Sequence, residues 1–389
     1  MFRNLFVYLF ISASGIFGFS AVSFSEDYVV GAHLPLTGAF ARAGQAYREG
    51  MLVAEHLHNL NNETKVRFDI VDDESTATKA VTAVEKFASS GDVAVIGGYA
   101  SSIIGPASEV SNRYGVTYMT AGAVSEELTR RGLKTFFRVN NNGGYAVAVN
   151  GMLDELKPTK VAIFVNTRSD APSLLAKSVG AHLKQQNIEF VEYPFDASTT
   201  NFQPLVNRMR LRDKPDVILM IVYENDYIGI LRAAKLIKPD VKAMVGTWSV
   251  ATVKMQEDFP DLMEKVIGCA LISFPAAFND EEGKTFQATY KELYGKDVDY
   301  QAVYGYVQAK LVFDAIDRLA KKGSFDRTKL ADELRAEEVD SLIGKIKFDD
   351  TGENIHFSLR MAQHQGKELP IVAPSDKATK PLLLPARPW

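Results

Sequence analysis

The chain has 389 residues, 46% of them apolar and 24% charged, with a net charge of −4. That length favours two folded units over one, and the composition is that of a globular protein with sizeable cores. Lysines and arginines are scattered rather than gathered in runs, which excludes the basic stripe that a nucleic-acid backbone requires.

Residues 1–25 read as a secretory signal peptide. Arg3 precedes a mostly apolar run over 5–19, and Ser23 and Ser25 stand at the −3 and −1 positions of a cleavage site before Glu26. The run is short for a membrane span, and no lipidation cysteine follows it. The expected mature protein is therefore soluble and periplasmic.

From Tyr28 onward, short Val/Ile-rich runs alternate with helical stretches. Strands are predicted over 28–32, 66–71, 93–96, 116–119, 161–165, 217–222 and 241–245, nearly continuous in apolar character, as strands covered on both faces are. Helices are predicted over 41–60, 77–89, 174–186 and 227–237, then over 281–293 and 302–320. The alternation implies βαβ units and a parallel sheet. It runs twice, with a change near 136–144, and the tail over 377–389, with three prolines, reads as extended. The lone cysteine, Cys269, cannot form an internal disulfide and reads as a core residue on a strand within 266–272.

Catalytic signatures are missing. The sequence has no His-Glu-x-x-His, Gly-x-Ser-x-Gly or Gly-x-Gly-x-x-Gly. His56 and His58, two apart on a helix, point to different faces and make a poor metal pair. The segment 278–285 ends like a phosphate-binding loop, but Phe278 stands where the first glycine is needed and Asp280, Glu281 and Glu282 would repel a polyphosphate. It reads instead as a helix start. No enzyme activity, cofactor or metal is expected.

In open α/β sheets, ligands bind outside the carboxyl ends of the strands. After the strand at 93–96 comes a glycine-serine turn, Gly97-Gly-Tyr-Ala-Ser-Ser102, that opens a helix. Free N–H groups there, with the Ser101 and Ser102 hydroxyls, suit a carboxylate without a formal positive charge.

Gly31-Ala-His-Leu-Pro-Leu-Thr-Gly38, Asp72-Asp73, the turn at 95–102, the stretch 119–132 and Phe136-Phe-Arg138 fall in a familiar order. With Thr200-Asn-Phe202, Leu231-Arg-Ala233 and Ile343-Gly-Lys-Ile-Lys-Phe-Asp349, the chain resembles the leucine/isoleucine/valine-binding family of periplasmic solute receptors. The resemblance implies a type I periplasmic-binding fold: two doubly wound parallel-sheet lobes joined by three crossings, near 140–144, 274–275 and 349–352. Lobe one would comprise 27–141 and 275–350, and lobe two 142–274 and 351–389. It also implies a monomeric receptor that hands a small solute to the permease subunits of an ABC importer in the inner membrane. An amino-acid or amide receptor, or a sensory module of the same fold, are the alternatives, with an exported enzyme ranked last.

By the same resemblance, the Ser101 position and the loop around 122–124, with Gly122 and Ala123, hold the α-carboxylate and α-ammonium in amino-acid binders. Val124 replaces a threonine hydroxyl of amino-acid binders, Ala171 replaces a tyrosine, and Tyr223 keeps an aromatic. The acid that receives the ligand ammonium falls on Trp248. A buried ammonium without an anion is costly, so the expected ligand is a small carboxylate with an apolar or aromatic body, such as an aromatic acid, unless Glu224 or Asp226 substitutes. Tyr99, Tyr145 and Phe274, at turns or crossings, complete the expected ligand-binding set of Tyr99, Ser101, Ser102, Gly122, Ala123, Tyr145, Tyr223, Trp248 and Phe274.

Overall fold

A computed structural model describes residues 27–323 and 325–389. The signal peptide expected over 1–25 lies outside the described residues. Five parallel strands form the first sheet: β1 (Tyr28–Leu34), β2 (Val66–Asp72), β3 (Ala94–Gly97), β4 (Thr117–Thr120) and β5 (Phe136–Arg138), in the order β2-β1-β3-β4-β5. The second sheet opens with β6 (Lys160–Asn166), β7 (Glu189–Phe195), β8 (Val217–Ile221), β9 (Ala243–Gly246) and β10 (Ile267–Ala270), again parallel and in the equivalent order β7-β6-β8-β9-β10. A hairpin of β11 (Glu338–Ser341) and β12 (Gly344–Lys347) follows, and the antiparallel strands β13 (Arg360–Gln363) and β14 (Ile371–Ala373) then extend the second sheet beyond β10. The repeated order is the doubly wound arrangement, and each sheet has a switch point, at β1/β3 and at β6/β8.

The apolar runs behave as their composition requires. Every residue of β3, β4, β8, β9 and β10 is buried. Cys269 lies on β10 with its thiol against Met361, and burial pushes the thiol well above its usual range. The sequence reading missed β7, and its place explains why: an edge strand with Glu189 and Glu192 exposed and a proline at position 194 carries little of the apolar signal of a central strand.

The helix Ala41–Asn61 crosses the helix Tyr300–Lys321 against the first sheet. Glycines set the approach: a Cβ on Gly50 would lie 1.8 Å from the Ala302 carbonyl oxygen, and one on Gly305 would lie 2.1 Å from that of Tyr47. Larger side chains would force the helices apart and drag the start of the second helix away from the space between the sheets.

Three passages link the sheets, between β5 and β6, between β10 and the helix Glu281–Tyr294, and between β12 and β13. The first and third are tied side by side. Arg138 N donates to Gly352 O at 2.9 Å, and the Arg138 guanidinium, 1% exposed, is paired with Glu353 and donates to Ser125 O at 2.5 Å. Asp280 caps the helix Glu281–Tyr294 by accepting from Gly283 N at 2.7 Å, so the phosphate-loop look-alike is a helix start.

Candidate functional site

The carboxyl ends of the two sheets face each other, and the side chains that meet there come from the turns that follow the strands. Phe40 comes from the turn after β1, Tyr99 and Ser101 from that after β3, and Gly122 and Ala123 from that after β4. From the other side, Tyr223 follows β8, and Trp248 and Ser249 follow β9. Both switch points thus contribute.

A continuous row of rings spans the gap. Phe40 contacts Tyr99 and Tyr223, each with centroids 5.3 Å apart. Tyr223 stacks on Trp248 at 5.9 Å with 20° between planes, and Trp248 meets Tyr145 at 5.8 Å. All five rings are buried. Burial pushes the Tyr99, Tyr145 and Tyr223 phenols up, so each stays a neutral hydroxyl at physiological pH. Trp248 Nε1 has no hydrogen-bond partner among the described residues.

Ser101 begins the helix Ser101–Arg113 and is 8% exposed. Its Oγ accepts from Ser125 N at 3.1 Å, which leaves the hydroxyl proton free to donate. Ala100, just before it, holds φ +69°, an unfavourable conformation for a residue with a Cβ, and its N–H donates to Gly122 O at 3.1 Å. Gly122 is needed for that approach, since a Cβ there would lie 2.3 Å from Gly98 O. Ala123 is fully buried.

Two members of the expected set stand elsewhere. Ser102 is exposed, because one residue along a helix turns the side chain about 100° away from Ser101. Phe274 is half-buried and lines a neighbouring cavity of about 400 Å³ instead of joining the ring row. The same cavity is lined by Arg42, Glu224, Asp299 and Gln301, so it too lies between the two sides.

Sequence reasoning missed the contacts that join the sides. Ser249, 1% exposed and at φ +58°, is held by three groups from the opposite side. Tyr99 Oη lies 2.7 Å from its Oγ, Gln301 Nε2 donates to that Oγ at 2.8 Å, and its N–H donates to Tyr300 Oη at 2.9 Å. Asp299 accepts from Val253 N at 2.7 Å, and Arg42 reaches Asp258 at 2.9 Å and Glu224 at 3.4 Å. Phe40 and Ser249 obey the rule that turns after strands carry the site. Tyr300 and Gln301 do not, because they open a helix with no strand before it.

The two acids that could have served an ammonium have different fates. Asp226 accepts from Asn166 Nδ2 at 2.7 Å and from Tyr223 N at 3.1 Å, closing a capping box at its own helix start. Glu224, 4% exposed, faces the cavity, and burial lifts its carboxyl to about 7 against the pull of Arg42.

Residues 27–368 match the model of the periplasmic binding protein family. The Leu/Ile/Val-binding protein homolog 7 of Brucella abortus (strain 2308) is 26% identical over 390 residues, covering 93% of this chain and 95% of that protein. A leucine binding protein of Thermotoga maritima superposes with a TM-score of 0.80 at 22% identity, covering 90% of this chain and 99% of that one. A solute binding protein of R. palustris in complex with benzoate superposes with a TM-score of 0.79 at 16% identity, covering 92% and 98%. The doubly wound sheets are therefore those of the type I periplasmic-binding fold.

Proposed function

Because the chain belongs to the periplasmic binding protein family, we propose that it is the solute receptor of a branched-chain-amino-acid-type ABC importer and closes two lobes around a small aromatic carboxylate. Lobe one is 27–141 with 275–350, and lobe two is 142–274 with 351–389. The observation that carries the ligand class is the buried ring row from Phe40 to Tyr145, with Trp248 at its centre. Ser101, Gly122 and Ala123 hold the carboxylate at a helix start, while the rings of Tyr99, Tyr145, Tyr223 and Trp248 enclose the apolar body. Stacking such a ring contributes about 0.5–1.5 kcal/mol beyond its area burial. A binding role, not catalysis, is what this arrangement supports.

A thermal-shift screen tests the class, since a ligand at about a hundredfold above its Kd stabilises by about 2.7 kcal/mol. Benzoate or phenylpropanoid acids are expected to raise the melting temperature, and leucine and valine to leave it in place. Stabilisation by leucine or valine alone would defeat the assignment. With the cognate acid in hand, Ser101→Ala removes a hydrogen bond to a charged group, a loss of roughly 1.5–3 kcal/mol. Calorimetry should therefore show affinity at least tenfold weaker, and an unchanged Kd would remove Ser101 from the site.

The affinity for such an acid should also depend on pH. Burial, with Asp299 and Asp258 adding to it and Arg42 opposing it, lifts the Glu224 carboxyl to about 7, and opening the cleft to water would let it fall back toward the ordinary carboxylate range. The closed form then binds more protons than the open one, so closure gains as pH falls and loses that gain above about 7. Between about pH 8 and about pH 6 the affinity for an amine-free acid should tighten about tenfold, and Glu224→Gln should flatten the profile. A profile unchanged by that substitution would assign the pH dependence elsewhere.

Export completes the reading: the mature chain begins within a few residues of Glu26, and N-terminal sequencing of periplasmic protein that retained Met1 would contradict it. Among the described residues no helix is long and apolar enough to cross a membrane.

A further inference from the structure

The cavity beside the ring row has a lining that the aromatic-acid reading leaves unused. Its cations are already engaged. Arg42 is held by Asp258 at 2.9 Å, Lys254 by Asp258 at 2.7 Å, and Lys296 by Glu49 at 2.8 Å. Three acceptors keep spare capacity. Among the described residues, Glu224 has only the 3.4 Å contact to the shared Arg42. Asp299 takes two backbone N–H groups, from Gln301 at 2.9 Å and Val253 at 2.7 Å, and pairs with no cation among the described residues. Gln301, 4% exposed, spends its Nε2 on Ser249 and Tyr300, while its Oε1 has no partner among the described residues.

A partly open, acceptor-rich space of about 400 Å³ has room for an extended group that brings hydrogen-bond donors and a positive charge. Such a group would also relieve the cost of the buried carboxylate, because a cation nearby favours the ionised form. The space borders the ring row: Glu224 in its lining directly follows Tyr223, and Gln301 in its lining donates to Ser249 Oγ, which lies 2.7 Å from Tyr99 Oη.

We infer that this cavity is a second compartment of the ligand site, taking a protonated amine carried at the end of the ligand remote from its carboxylate. The inference rests on the aromatic-acid reading above and narrows it to an ω-amino aromatic acid. Such a ligand places its carboxylate at the helix start of Ser101, its ring among Tyr223 and Trp248, and its ammonium among Glu224, Asp299 and Gln301. An α-amino acid has both charges at one end and cannot span the two compartments.

Calorimetry with 4-methylbenzoate, 4-(aminomethyl)benzoate and phenylalanine, on the wild type and on Glu224→Gln, tests it. In the wild type near pH 7.5 the aminomethyl compound should bind at least tenfold more tightly than the methyl compound, and phenylalanine should gain nothing over the methyl compound. In Glu224→Gln the two benzoates should bind alike. The pH trend supplies a second readout: the methyl compound should tighten as pH falls, whereas the aminomethyl compound, which needs Glu224 ionised, should not. Equal affinity for the two benzoates in the wild type overturns the inference while leaving the aromatic-acid reading intact, and so does an amine advantage that survives Glu224→Gln. Binding of neither benzoate overturns both.

Discussion

Glu353→Ala should cost about 3–5 kcal/mol of stability, the penalty for stranding a buried charge. Arg138 is 1% exposed and its guanidinium is paired with Glu353, which is itself 18% exposed. Removing Glu353 leaves the cation with Ser125 O as its remaining acceptor, whereas removing Arg138 leaves a carboxylate that water can still reach. The two single substitutions should therefore differ, with Glu353→Ala the worse. An apolar pair, Arg138→Leu with Glu353→Leu, should recover much of the loss, because a well-packed apolar pair often matches a buried ion pair. Urea denaturation reads all three. A cost below about 1 kcal/mol for Glu353→Ala would place the pair with ordinary surface ion pairs. Since these residues tie the first passage between the sheets to the third, the same variants should loosen closure as well as the fold.

Trp248→Ala should weaken ligand binding by about 2–4 kcal/mol, roughly 30- to 1,000-fold, as truncating a buried central aromatic does. The indole lies between Tyr223 and Tyr145, so its removal opens the middle of the ring row and leaves Tyr223 with Phe40 and Tyr145 with Phe357 as their remaining ring neighbours. Trp248→Phe keeps a ring but deletes the unpartnered Nε1–H, and should retain affinity to within about tenfold unless a ligand oxygen uses that donor. Calorimetry on the two variants separates packing from hydrogen bonding. If Trp248→Ala binds the cognate acid as the wild type does, the indole is core packing and the ligand lies elsewhere.

Much of the fold was legible in the sequence because two signals agree: runs of Val and Ile too short for helices, and helical stretches between them. The signal fails where burial is one-sided. The edge strand β7 alternates charge with apolar residues and contains a proline, so it looks like a loop. In the site, the rule that turns after strands carry ligand contacts singled out Tyr99, Ser101, Tyr223 and Trp248, and would have reached Phe40 and Ser249 had it been applied to every turn. It says nothing about which neighbour faces inward, hence the exposed Ser102. Tyr300 and Gln301 were out of its reach, since only the crossing of two helices brings them between the sheets. The separate fates of Glu224 and Asp226, one facing the cavity and one closing a capping box, depend on rotation around a helix start that two adjacent acids do not reveal.

The crossing of Ala41–Asn61 with Tyr300–Lys321 has a further consequence, for the order in which the molecule can be built. The first sheet is assembled from residues near the amino end, yet the helix that covers its early helix arrives only after β10 has been made. The second sheet in turn waits for β13, which pairs with β10 across the whole intervening segment. Each half is thus finished by a segment synthesised after most of the other, and the closure of such long loops makes folding slow. A chain with this weave has little to gain from early collapse, a delay that would suit the proposed export, in which an unfolded thread passes a narrow membrane channel before it folds.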